Sequence, residues 1–116
     1  MTEPFGELAA LDKLVHEPAR LAILTALEAC EQSDFVFLQR ITGLSKGNLS
    51  AHLAKLEAEG LVDITKHFAG KRPETWLALT DGGRHALETH WDRLSRLRAA
   101  ARRWTGPPES PPPEVA

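Results

Sequence analysis

The sequence predicts a mainly α-helical domain that carries one small β-hairpin. Three observations carry that expectation. Apolar residues recur at three- and four-residue spacing in several separate stretches of the 116-residue chain. Between residues 61 and 79 the pattern changes to short extended runs around a polar turn. The composition, 42% hydrophobic and 26% charged, is that of a folded domain, and the length suits one.

Each element follows in order. Glu7 to Val15 reads as a short amphipathic helix, with Leu8, Leu11 and Val15 on one face. Pro18 suits the first turn of a second helix, which runs to about Glu31 behind Leu21, Ile23, Leu24 and Leu27. Ser33 is the expected cap of a third helix over Asp34–Thr42, where Phe35, Leu38 and Ile41 keep helical spacing. Gly43 breaks it, and Ser45 caps a fourth helix that reaches Glu59 with Leu49, Leu53 and Leu56 as its core stripe. Gly60 supplies the left-handed stop.

Residues 61–68 then read as a strand, residues 69–73 as a polar turn, and residues 75–79 as the returning strand. Thr80 caps a long last helix over 81–104. Gly82 and Gly83 weaken its start by about 1 kcal/mol each against alanine, so tertiary contacts must hold it. Residues 105–116 contain five prolines and read as a disordered tail.

Helices followed by a hairpin and a long helix make a winged helix-turn-helix over residues 1–104, with extra N- and C-terminal dimerisation helices. The helix-turn-helix spans 34–59 and the wing 61–79. In such a unit the N-terminal part of the second helix enters the major groove of double-stranded DNA. Ser45, Lys46, Asn48, Ser50, His52 and Lys55 lie off the leucine stripe and are the expected DNA-binding residues. Asn pairs with adenine, Ser with either partner, and Lys with guanine or phosphate. Gly47 leaves room for a close approach. Lys71 and Arg72 at the wing tip suit a minor groove or flanking phosphates.

Three stretches carry a family resemblance. They are His16-Glu-Pro-Ala-Arg-Leu-Ala-Ile-Leu24, the run from Leu44 to Val62, and Gly70-Lys-Arg-Pro-Glu-Thr-Trp-Leu-Ala-Leu-Thr-Asp-Gly-Gly-Arg84. Through them residues 11–98 resemble winged-helix transcriptional regulators of the MarR/ArsR type, most closely the small bacterial and archaeal branch of winged helix DNA-binding domains. The resemblance implies a dimer on a pseudo-palindromic operator, a recognition helix over Ser45–Glu59, and wing contacts around Lys71 and Arg72. It leaves the effector open.

The net charge of −2 averages over uneven segments. Residues 1–33 hold six acids and two bases, whereas residues 81–104 hold six arginines and three acids. The average therefore argues against strong non-specific binding by a lone subunit and leaves DNA binding open. In the last helix Leu87, Leu94 and Ala101 form one seam, and His90, Leu97 and Trp104 another. Leu8, Leu11, Val15, Leu87, Leu94 and Leu97 are accordingly the expected dimerisation residues. Phe68, Trp76, Trp91 and Trp104, with Phe5, read first as core or interface anchors. Their other reading is the lining of a cleft for a small apolar or aromatic effector.

The remaining chemistry is sparse. Cys30 alone excludes an intramolecular disulfide and a Cys-only metal cluster, and it reads as a small buried hydrophobe. His85 and His90 are five apart, roughly 140° around a helix, which is poor for chelation, so no metal or cofactor is expected. The sequence presents no nucleophile–base set and no phosphate-binding glycine loop, so no enzyme is expected. No run approaches the ~18 apolar residues of a membrane span, and the acidic N-terminus has no apolar signal core, so the expected setting is cytoplasmic. The rival reading is a winged helix used as a protein-interaction module.

Overall fold

The computed structural model describes residues 5–106 and gives six helices and a three-stranded antiparallel sheet among them. Two short helices, Gly6–Ala9 (α1) and Lys13–His16 (α2), replace the single first helix that the periodicity predicts. The break falls at Asp12, whose carboxylate accepts the Leu14 amide at 2.9 Å and so starts a new helix. Glu17 repeats the device. Its two oxygens accept the Ala19 and Arg20 amides at 2.8 and 3.1 Å, and Pro18 takes the first position of α3, Pro18–Cys30.

The chain turns at Glu31, with φ 65°, into a strand that sequence reasoning missed: β1, Gln32–Asp34. It is short and polar and shows no apolar alternation. Its register, Ser33 opposite Leu77, is set by the strand it joins. Because Ser33 is buried in this ladder, Asp34 caps the next helix instead, accepting the Phe37 amide at 2.7 Å. That helix is α4, Phe35–Thr42. Gly43 ends it at φ 72°, a left-handed conformation that a side chain disfavours. Ser45 then caps α5, Lys46–Ala58, by accepting the Asn48 amide at 3.1 Å.

The wing is β2, Val62–Ala69, and β3, Arg72–Leu79. Its turn is two residues, Gly70 and Lys71, tighter than the five expected, because Ala69 pairs Arg72 and Phe68 pairs Pro73. Pro73 is tolerated because β1 pairs only with residues 76–78, so its missing N–H costs no bond to that strand. The strand order is β1-β3-β2.

The last helix, α6, spans Asp81–Arg103, ending one residue short of the expected Trp104. Thr80 fastens its start. The hydroxyl accepts the Gly83 amide at 2.9 Å and donates to the Gly60 carbonyl at 2.6 Å. A Cβ on Gly83 would collide with the Leu61 carbonyl, so glycine is what lets the helix lie on that backbone. This is the tertiary support that the glycine pair requires. One core unites Val15, the leucines of α3 to α5, Leu77, Leu79 and Leu87. The tail expected over 105–116 lies outside the described residues, apart from Thr105 and Gly106.

Candidate nucleic-acid interface

The interface is built on α5. Leu49, Leu53 and Leu56 are buried, which fixes the helix against α3 and the wing. Lys46, Gly47, Asn48, Ser50, Ala51 and Lys55 are exposed. The Ser45 hydroxyl is committed to the cap, so Ser45 contributes mainly by shaping the helix start. That start presents the Lys46 and Gly47 amides and the positive end of the helix dipole to the outside. An added Cβ at Gly47 meets nothing within 4 Å, so the fold itself does not require glycine there.

Beside α5 runs a groove of about 830 Å³ between α4, α5 and the wing. Arg40, Lys46, Lys66 and Arg72 line it with their exposed side chains, while Leu53 and Leu77 are buried. Three acids also line it, and two are engaged: Asp34 as the α4 cap, and Glu74 at 3.9 Å from His67. Lys71 occupies the exposed turn and Arg72 the exposed start of β3.

His52 is placed differently from the other expected DNA-binding residues. It is half-buried and turned towards α3, with Nδ1 3.4 Å from Glu17 and 3.3 Å from Arg20. Burial works to raise the Glu17 carboxyl. The amides of Ala19 and Arg20 and the charges of His52 and Arg20 outweigh it and hold the group below its ordinary range. Glu17 and Arg20 were missed by sequence reasoning. Glu17 immediately before Pro18 was the available signal, as a carboxylate at a helix start.

The six expected dimerisation residues divide. Val15 and Leu87 belong to the subunit's own core, and Leu11 and Leu97 are buried outside that cluster, where α1 and α2 fold back on α6. Within the single subunit these four pack intramolecularly. Leu8 is exposed and Leu94 half-buried. The arm is held by the Glu7–Arg93 pair at 3.8 Å and the Phe5–Trp104 ring contact at 5.3 Å. His16 Nδ1 also lies 3.0 Å from His90 Nε2.

The expected effector lining is dispersed. Phe68, 72% exposed, and Trp76, stacked on His67, stand on the wing. Trp91 stands on α6 and Trp104 just past its end, thirteen residues on. The groove beside α5 is lined by none of these four. Cys30 is half-buried and free.

Helices α3, α4 and α5 packed through buried leucines, with the polar face of α5 exposed beside a two-stranded wing, define the class: a winged helix-turn-helix. The model of the winged helix DNA-binding domain family matches residues 19–98, and the chain belongs to that family. It is 33% identical over 85 residues to the uncharacterized protein MJ0432 of Methanocaldococcus jannaschii, covering 73% of this chain and 92% of that one. It is 44% identical over 57 residues to the HTH-type transcriptional regulator YgaV of Escherichia coli, covering 49% and 58%. Among solved structures, a transcriptional regulator homologue from Pyrococcus horikoshii superposes with a TM-score of 0.77 at 27% identity, covering 86% and 98%. The fold is also that of a MarR mutant from Escherichia coli, with a TM-score of 0.68 at 21% identity over 89% and 74%. The family is one of winged helix DNA-binding domains, and the fold is shared with transcriptional regulators. No helix among the described residues is long and apolar enough to cross a membrane.

Proposed function

We propose that this chain is a transcriptional regulator that binds a pseudo-palindromic operator in double-stranded DNA as a homodimer. Helix α5 lies in the major groove, and the wing tip at Lys71 and Arg72 contacts the flanking backbone or minor groove. The observation that carries the reading is the division of α5. Its leucine stripe is wholly buried, while Lys46, Asn48 and Ser50 stand exposed at its N-terminal half. That is the half a helix-turn-helix offers to base edges. The second subunit is supported by the exposed apolar groups of the arm and α6, namely Phe5, Leu8, Trp91 and Trp104.

The salt dependence of binding tests the reading. Each phosphate contact adds about −0.9 to the slope of log affinity against log salt. Lys46→Ala and Arg72→Ala each make the slope shallower by about one such step and weaken binding by roughly tenfold. A chain whose DNA affinity is unchanged by both substitutions is the protein-interaction module instead.

A small apolar or aromatic effector belongs to the same proposal. Its place is the junction of the arm and α6, where Phe5 meets Trp104 at 5.3 Å. Quenching of tryptophan fluorescence by an aromatic acid, with parallel loss of DNA binding, supports it. The absence of both across a broad panel overturns it.

A further inference from the structure

We infer that Arg20 is a positioning residue for DNA recognition. Its guanidinium fastens the start of α2 to His52 on α5, so that the N-terminal arm fixes how the recognition helix is presented. The inference rests on the reading of α5 as the DNA-reading helix.

The geometry is a three-way tie. Arg20 Nε donates to the Leu14 carbonyl at 2.7 Å, and one terminal nitrogen donates to the Lys13 carbonyl at 3.2 Å. Both carbonyls belong to α2, which at four residues is too short to give them partners inside the helix. The other terminal nitrogen lies 3.3 Å from His52 Nδ1 and 3.6 Å from Glu17. Only a planar fork with donors spread over its edge serves all of these at once, which is the difference between arginine and lysine. The Arg20 side chain is 12% exposed, so its charge is spent inside the fold and not on a phosphate.

His52 receives the tie in either proton arrangement. Without a proton Nδ1 accepts from Arg20, and with one it donates to Glu17 at 3.4 Å. His52 and Asn48 are four residues apart, so they neighbour each other on α5. A tilt at His52 is therefore carried to Asn48. At its other end α2 meets α6 through His16 and His90. The contacts thus run from α6 through the arm and Arg20 to the recognition helix.

The probe is the duplex that the wild-type chain recovers from a randomised pool. His52→Leu and Arg20→Met each weaken binding to it by roughly tenfold, and binding to random duplex by less than about twofold. The double variant is no weaker than the worse single one, because both cut the same tie. His52→Asn, whose amide reaches the Nδ1 position, stays within about twofold of wild type. The salt slope is unchanged throughout, because no phosphate contact is lost. Additive losses, a shallower slope, or His52→Asn falling with His52→Leu overturns the inference and makes His52 a DNA contact. If Arg20→Met does not fold, the two His52 variants decide by themselves. A wild-type chain that recovers no sequence refutes the DNA reading itself, a result separate from any of these.

Discussion

Two glycines make opposite demands on the same fold. At Gly83 a methyl group has nowhere to go, because the Leu61 backbone occupies its place. Gly83→Ala lowers stability by about 2 kcal/mol or more, read as a fall in the thermal midpoint, because overpacking against backbone cannot relax through a side chain. At Gly47 the methyl meets open space. Gly47→Ala raises stability by up to about 1 kcal/mol, since alanine is the better helix former. If α5 approaches a DNA backbone closely, the same substitution weakens operator binding. Stabilisation without any loss of binding removes Gly47 from the interface. The need for support at Gly83 was legible in the sequence, because two glycines cannot start a long helix unaided. The fate of His52 was not legible. Helical periodicity assigns a face, and His52 does lie off the leucine stripe, but its partners are 32 and 35 residues away and no local pattern announces them.

At the scale of elements, apolar spacing located the four longer helices and the hairpin, while polar side chains set their ends. Asp12, Glu17 and Asp34 each cap a helix, and Asp12 and Asp34 moved a boundary. Strand β1 was invisible because three polar residues gain a partner only through β3. The division of the arm into α1 and α2 brings His16 onto His90, which is 4% exposed. Burial pushes the His90 imidazole below its ordinary value of 6.5, His16 and Arg93 push the same way, and Asp12 opposes them. The folded state therefore prefers neutral His90. Its contribution is complete above about pH 6.5 and is lost as pH falls through the lowered value, where the folded chain must also take the proton. Thermal midpoints between about pH 7.5 and about pH 5 check this, with wild type losing more stability on acidification than His90→Leu. Equal losses in the two proteins contradict it.

At the scale of the molecule, α6 has 23 residues and is about 34 Å long, more than one winged core covers. The arm takes part of the remainder and leaves Trp91 42% and Trp104 50% exposed. The sequence located this excess of apolar helix, but not that Leu87 is covered by the same chain, because a heptad seam looks the same whether its partner is the same chain or another. Trp91→Glu is expected to shift the sedimenting species towards the monomer and to weaken operator binding by tenfold or more, since two half-sites are then no longer held together. An unchanged dimer after this substitution moves the interface elsewhere. The uneven charge fits the same arrangement, with few cations on each α5 and wing, so that tight binding depends on pairing.

The central claim, that paired α5 helices read DNA, is tested most directly by a footprint on the duplex recovered by selection or on the DNA upstream of the chain's own gene. The account predicts a protected inverted repeat whose half-sites lie about one helical turn apart, ~34 Å, and which disappears with Lys46→Ala. Protection without two-fold symmetry, or none that depends on Lys46, contradicts it.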